Sequence, residues 1–125
     1  MRSLSLLFLT VILALPACDS PTVCDTSVLP SIVVAVVDSL TDVPLADSTQ
    51  GLVQDGPFTD TLVPYGYNSS RVLRSLAMRG ERPGTYAVDL QRSGYRAWHV
   101  GSVQVAEAGC HTVQVTLTAL LQRLP

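Results

Sequence analysis

The sequence predicts an all-β domain, a small antiparallel or mixed β-sandwich of about seven strands. Three observations support this fold class. Short segments rich in β-branched residues recur at spacings of about ten residues, and turn-forming residues lie between them. Several segments alternate apolar and polar residues, which is the period of a half-buried strand. No amphipathic helical pattern of ten or more residues occurs.

The first residues have the three parts of a secretory signal peptide. Arg2 supplies positive charge, Leu4–Leu15 is a 12-residue apolar run with two polar interruptions, and the small residue Ala17 follows. The run is shorter than the roughly 20 apolar residues that a membrane-spanning helix needs. We therefore expect this segment to direct export.

The end of that segment, "LPAC" at residues 15–18, resembles the lipobox of bacterial lipoproteins. In such proteins the cysteine becomes the mature N-terminus and carries acyl chains, which anchor the protein in a membrane. Pro16 departs from the usual small or aliphatic residue. We expect residues 1–17 to be a lipoprotein signal peptide and Cys18 to be lipidated. An ordinary secretory signal is the alternative.

Composition limits the partners of the remaining chain. Cleavage before Cys18 leaves 108 residues, a suitable length for one domain with its own core. These residues include seven scattered arginines, ten carboxylates and no lysine. No basic stripe for nucleic acid or anionic lipid is present. We expect no nucleic-acid partner, membrane contact through the N-terminal lipid, and localisation in the bacterial cell envelope, either periplasmic or at the cell surface.

The elements follow in order along the mature chain. Residues 18–30 are polar, contain Pro21 and Pro30 and show no sustained period, so we expect a tether. "SIVVAVVDS" at residues 31–39 indicates an interior strand, although its period alone does not exclude a buried helix. Asp55-Gly56 within "GLVQDGPFTDTL" indicates a hairpin.

In the second half of the mature chain, more segments alternate apolar and polar residues. "VPYGYNSS" at residues 63–70 has the composition of a loop, and "RVLRSLAM" fits either a strand or a short helix. Three later segments alternate as strands do, namely "TYAVDLQRS", "YRAWHVGSVQVA" and "HTVQVTLTAL". We expect the domain to occupy residues 31–121.

Several motifs resemble the carboxypeptidase regulatory-like domain, a transthyretin-like or prealbumin-like sandwich. They are a strand ending in Asp followed by a Thr-containing turn and a Pro before small residues, then "PG-x-Y", "GY" and an alternating last strand. In this chain they are Asp38, Thr41, Pro44 and Ala46, residues 83–86, residues 94–95 and residues 111–120. Asp42 stands where the family usually has glycine. The resemblance covers residues 31–121 and implies a transthyretin-like or Ig-like arrangement of strands.

Aromatic residues offer two interpretations. Tyr86 and Tyr95 fit core or corner positions, where the ring is buried and the hydroxyl is hydrogen-bonded. Trp98 fits the core as well. The alternative is that Tyr65, Tyr67 and Trp98 form an exposed platform for a small ligand, peptide or glycan.

No residue pattern indicates catalysis, and we expect no enzyme activity, metal or cofactor. The two histidines, His99 and His111, lack the further ligands of a metal site and fit strand-surface positions. Asp38, Asp42 and Asp47 fit a solvated acidic turn better than a calcium site. The C-terminal residues also lack the Tyr-Arg-Gly-Ser tail of the transthyretin-like hydrolases.

The sequence therefore favours a non-catalytic, membrane-anchored envelope lipoprotein whose sandwich is an interaction or structural module. The alternative is a sandwich that binds a small ligand or glycan. A third hypothesis is that the domain assists a larger exported enzyme.

Two cysteines remain once Cys18 is lipidated. Cys24 precedes the first predicted strand and Cys110 precedes the last, and an even number of cysteines in an oxidising compartment favours pairing. The two positions share one end of a sandwich if those strands run in the same sense, or if the tether folds back. We predict a Cys24–Cys110 disulfide, with two separate thiols as the alternative.

Overall fold

The computed structural model describes residues 24–125 as two packed β-sheets and a short hairpin. The strands are β1 (Ile32–Asp38), β2 (Gln50–Asp55), β3 (Phe58–Thr61), β4 (Val63–Tyr67), β5 (Leu73–Ala77), β6 (Gly84–Gln91), β7 (Trp98–Val105), β8 (Glu107–Ala108), β9 (His111–Thr112) and β10 (Val115–Leu121). The predicted signal peptide and Cys18 lie outside the described residues. None of the described residues forms a helix long and apolar enough to cross a membrane.

Each sheet has four strands. The order in the first sheet is β10-β1-β5-β4, and the order in the second is β3-β2-β6-β7. β1 runs parallel to β10, with Ile32 opposite Val115 and Asp38 opposite Leu121, and the other strand pairs are antiparallel. The predicted class, a small β-sandwich with antiparallel and mixed sheets, is confirmed.

The core lies between the inner faces of the two sheets. Ile32, Val34 and Val36 from β1 are fully buried and belong to the same cluster as Val53 and Val88 from the second sheet. β1 is flanked by β10 and β5, and an interior strand covered in this way carries a nearly continuous apolar run. The interior strand predicted from "SIVVAVVDS" is therefore confirmed.

Tyr86 is the largest fully buried side chain of the core. Its ring lies on β6 and meets the ring of Phe58 edge-on, with centroids 6.3 Å apart. Its hydroxyl donates to the Arg82 carbonyl oxygen at 2.8 Å, so the polar group keeps a partner. The predicted core position of Tyr86 is confirmed.

The loop predicted from "VPYGYNSS" is wrong for Val63–Tyr67, which forms β4, whereas residues 68–70 lie in the turn that follows it. β4 is the last strand of the first sheet and is paired only with β5. An edge strand tolerates proline, here Pro64, and its exposed residues show no alternation of the kind that marks a half-buried strand. The two sheets together therefore hold eight strands rather than about seven.

The C-terminal residues extend the domain beyond the expected boundary at residue 121. The Arg96 N–H donates to the Gln122 carbonyl at 2.8 Å, and the Leu124 N–H donates to the Gly94 carbonyl at 3.0 Å. These bonds attach the chain after β10 to the turn before β7.

Candidate functional site: the two ends of the sandwich

The parallel pairing of β1 and β10 gives the sandwich two distinct ends. We call the end where both strands begin, at Ile32 and Val115, the proximal end. The distal end is where both strands finish, at Asp38 and Leu121. Most polar side chains with specific partners lie at one of these ends.

Cys24 and Cys110 meet at the proximal end. Their Cα atoms are 5.5 Å apart, which is within the range of a disulfide and places the pair at bonding distance. Cys110 lies in the turn between β8 and β9, just before β10. The two cysteines share one end because β1 and β10 run in the same sense, as one of the two expected arrangements requires.

His111 joins the same segment to the domain. Its Nδ1 lies 2.9 Å from an oxygen of Glu81, and its Nε2 lies 2.8 Å from an oxygen of Asp25, the residue after Cys24. The imidazolium form donates to both carboxylates, whereas a neutral ring has only one N–H. No local pattern indicates this contact, since Asp25 and His111 are 86 positions apart.

The two carboxylates raise the pKa of His111 above its ordinary value, and the hydrogen bond with Glu81 is the larger cause. A raised folded-state pKa stabilises the fold below the unfolded-state pKa of about 6.5, and the contribution is lost as pH rises through the folded-state value. We predict that Glu81→Gln lowers the pKa of His111. NMR titration of the His111 ring measures it.

Glu107→Gln is the matched control for this titration. Glu107 lies on the neighbouring strand β8 and is exposed, and no hydrogen bond or ion pair joins it to His111 in the described part of the chain. The control variant should leave the titration of His111 almost unchanged. Equal shifts of the His111 pKa in the two variants, or no shift in Glu81→Gln, would contradict a specific contact between His111 and Glu81.

Asp38 organises the distal end. Its carboxylate is buried and accepts hydrogen bonds from the backbone N–H groups of Leu40 and Thr41, from the Tyr95 hydroxyl at 2.9 Å and from Arg123 Nε at 2.7 Å. The bond from Arg123, the largest cause, holds the pKa of Asp38 well below its usual range. The interpretation of Asp38 as part of a solvated turn is therefore wrong, because its carboxylate is buried and accepts hydrogen bonds from the backbone of the turn.

The rest of that turn is solvated, as expected. Asp42 and Asp47 are exposed, and Asp42 adopts a left-handed conformation with φ 56°. Aspartate tolerates this conformation better than most residues, and glycine adopts it freely. Asp42 can therefore fill a turn position where the resembled family usually has glycine.

The three candidate ligand-binding aromatics do not share a face. Tyr65 and Tyr67 are exposed on β4, at one edge of the first sheet. Trp98 lies on β7, is partly buried and packs against the core. β7 contacts β10, which is the opposite edge of the first sheet from β4. The structure thus separates Trp98 from the two tyrosines, and a ligand-binding role for each remains a prediction.

The outer face of the second sheet carries a shallow groove of about 660 Å³. Its lining includes Gln50, Leu52, Thr61, Asp89 and Gln91. The strand register places Thr61, Leu52, Asp89 and His99 in one row across the four strands. His99 Nδ1 lies 2.6 Å from an oxygen of Asp89, so the exposed histidine has a specific partner.

Residues 24–125 contain no group of three or more His, Cys, Asp or Glu side chains placed to hold a metal ion. No protein-family model matches the chain, and no curated protein matches it significantly. The resemblance to the carboxypeptidase regulatory-like domain therefore remains a hypothesis that rests on the motifs alone.

Proposed function

We propose that this chain is a lipid-anchored lipoprotein of the bacterial envelope whose sandwich is a non-catalytic interaction module. The observation that carries the proposal is the placement of Cys24 and Cys110 at disulfide distance. Disulfides persist in oxidising compartments such as the periplasm and the cell surface, and they are rare in the cytosol. This agrees with the export signal and lipobox-like "LPAC" of the sequence.

The cysteine pair also shortens the proposed tether. With Cys24 bonded to Cys110, the free connection runs only from Cys18 to Cys24, six residues that span at most about 20 Å. The proximal end then lies near the membrane, and the distal end faces away from it. A short connection of this kind presents the domain in a restricted orientation.

The described polar groups support a structural rather than a catalytic role. Both ring nitrogens of His111 have carboxylate partners, and the carboxylate of Asp38 has four donors. Arg82 pairs with Asp55 at 2.8 Å and contacts the Tyr86 hydroxyl. These groups are engaged in holding loops and strands together.

The anchor has a direct test. We predict that the chain expressed from Met1 in a bacterium yields a mature protein whose N-terminal peptide begins at Cys18 and carries acyl mass. Mass spectrometry of that peptide and fractionation of membranes measure it. Cys18→Ser is the matched control, and this variant should be absent from the membrane fraction. An unacylated protein that is released on cell lysis would overturn the anchor.

A second candidate function is the binding of a small polar ligand or glycan, and the groove on the outer face of the second sheet favours it. The groove offers amide, hydroxyl and carboxylate groups around Leu52, which suits a neutral sugar. We predict saturation transfer from the protein to a neutral oligosaccharide such as cellotetraose, with the signal reduced in Gln91→Ala. A signal that Gln91→Ala leaves intact would contradict this site.

A further inference from the structure

A second hollow lies at the distal end of the sandwich, beside the groove on the outer face of the second sheet. It is shallow and has a volume of about 500 Å³. We call it the distal hollow, and its lining includes Ser48, Gln50, Gln91, Arg92, Ser93 and Tyr95. The Tyr95 hydroxyl donates to Asp38, where β1 ends, so the hollow lies at the opposite end of the sandwich from the Cys24–Cys110 pair.

Two turns and two strand ends form the distal hollow. Ser48 lies in the turn before β2, and Ser93 and Tyr95 lie in the turn between β6 and β7. Gln50 of β2 and Gln91 of β6 are opposite each other in the strand register, and both also line the outer-face groove. The hollow and the groove are therefore continuous, and one elongated ligand can occupy both.

Arg92 is fixed in the distal hollow through one of its terminal nitrogens. Its Nη1 donates to the Leu45 carbonyl oxygen at 2.8 Å and to the carbonyl oxygen of Asp47. Because Nη1 carries two hydrogens, these two bonds use both of them. The side chain of Arg92 is only 19% exposed. The two bonds and this partial burial hold the guanidinium in place before any ligand binds, which lowers the entropy cost of binding.

The other edge of the Arg92 guanidinium remains for a ligand. Nε and Nη2 carry three N–H groups, and none of them has a hydrogen-bond partner among residues 24–125. In this part of the chain every buried side-chain nitrogen or oxygen has a partner, so Nε and Nη2 are accessible to solvent. The Nε–Nη2 edge offers two parallel N–H groups, a geometry that matches the two oxygens of a carboxylate.

The charges around the distal hollow favour a ligand group with a single negative charge. Among the described residues, Arg92 is the only arginine or histidine in the lining. The exposed carboxylate of Asp47 lies 3.8 Å from its Nη1 and partly offsets its charge. A carboxylate carries one negative charge, whereas a phosphate group carries up to two. The Ser48 and Ser93 hydroxyls and the two glutamine amides are suitable partners for the hydroxyl groups of a sugar.

We propose that the distal hollow binds the carboxylate of an acidic sugar, a uronic acid residue within an oligosaccharide. Arg92 pairs with the carboxylate, and the Ser48 and Ser93 hydroxyls bond the hydroxyl groups of the same sugar. The neighbouring sugars extend past Gln50 and Gln91 into the outer-face groove. The inference rests on the second candidate function, the binding of a glycan, and deepens it by naming the class of sugar. It does not require the anchor.

The test uses the full chain in a nonionic detergent and isothermal titration calorimetry with trigalacturonic acid. The neutral counterpart is the trimethyl ester of the same trisaccharide. The acid should bind with a Kd at least about tenfold lower than that of the ester, because only the acid offers carboxylates to Arg92. Arg92→Gln should raise the Kd of the acid about tenfold and leave that of the ester almost unchanged. Ser48→Gly, at a position whose φ of 59° suits glycine, should also weaken binding of the acid.

Asp47→Asn should have the opposite effect. This variant removes the competing carboxylate 3.8 Å from Arg92 Nη1 and keeps the backbone carbonyl that holds the arginine. The acid should bind about twofold more tightly, as expected for the loss of an exposed ion pair that competes with the ligand. A folding defect would not produce such a gain, so this variant separates binding from stability. An unchanged or weaker affinity for the acid would contradict the role of Arg92.

Arg96→Gln is the matched control, since Arg96 is an exposed arginine in the same turn between β6 and β7 and lines a different hollow. It should leave the Kd of the acid unchanged. Equal affinity for the acid and its ester, or equal effects of Arg92→Gln and Arg96→Gln, would overturn this inference and leave the glycan candidate standing. No binding of either trisaccharide or of cellotetraose would overturn both. Displacement of the acid by an equal concentration of inorganic phosphate would also overturn the inference, because the hollow would then bind oxyanions without regard to the sugar.

Discussion

Replacing Cys24 and Cys110 together by serine should lower the melting temperature by as much as about 18 °C. The two residues are 86 positions apart, so their bond closes a loop that spans most of the described chain. Chain entropy assigns about 4.5 kcal/mol to such a loop as an upper value, and real bridges often contribute less. For a domain of about 100 residues, 1 kcal/mol corresponds to about 4 °C.

Thiol labelling of denatured, unreduced protein tests the bond directly. In a Cys18→Ser background the wild-type pair should give no labelled thiol, and prior reduction should expose both cysteines. Reduction should lower the melting temperature of this protein and leave that of the double serine variant unchanged. Two reactive thiols before reduction would contradict the bond and remove the main support for an exported protein.

The bond and the His111 contact are coupled through adjacent residues. Cys24 precedes Asp25, and Cys110 precedes His111, so the same two short segments hold both contacts. Without the bond, Asp25 must be ordered against His111 at a separate entropy cost. The double serine variant should therefore also show a lower pKa for His111.

The sequence was most informative where structure is set by local pattern. β1, β6 and β10 were predictable because burial on one or both faces imposes an apolar run or a period of two residues. β4 was missed because an exposed edge strand carries no such period and its Pro64 and Gly66 are typical of loops. The cysteine pairing was predicted for a different reason. The expected lipidation of Cys18 left two cysteines, and the expected export favoured their pairing.

The polar contacts were not predictable from local pattern. Asp38 and Arg123 are 85 positions apart, and nothing near Arg123 marks it as the partner of a buried carboxylate. Likewise, nothing near Glu81 or Asp25 in the sequence marks either residue as a partner of His111. Such pairs depend on which loops the sheet topology brings together, here through the parallel pairing of β1 with β10. Their residue types alone fit a solvated surface equally well.

The exposed aromatic residues show how the two kinds of information combine. The sequence selected Tyr65 and Tyr67 by composition and grouped them with Trp98. The strand order separates Trp98 from them, because Trp98 lies on β7 of the second sheet and the two tyrosines lie on β4 of the first. The residue types that favour binding were visible in the sequence, but the set that shares one surface was not.

Tyr86→Ala should cost about 3 kcal/mol of unfolding free energy, whereas Tyr67→Ala should cost no more than about 0.5 kcal/mol. Tyr86 is fully buried, packs edge-on against Phe58 and donates its hydroxyl to the Arg82 carbonyl. Truncation removes that packing and leaves a cavity between the sheets. Tyr67 is exposed on the edge strand β4, so its loss exposes little new apolar surface.

Urea denaturation of the two variants measures both free energies, and Tyr86→Phe serves as a control that removes only the hydroxyl. That variant should lose about 1 kcal/mol of unfolding free energy, the usual contribution of one hydrogen bond. Equal, small losses in Tyr86→Ala and Tyr67→Ala would contradict the position of the core. A large loss in Tyr67→Ala would instead mean that the exposed ring on β4 contributes to the stability of the fold.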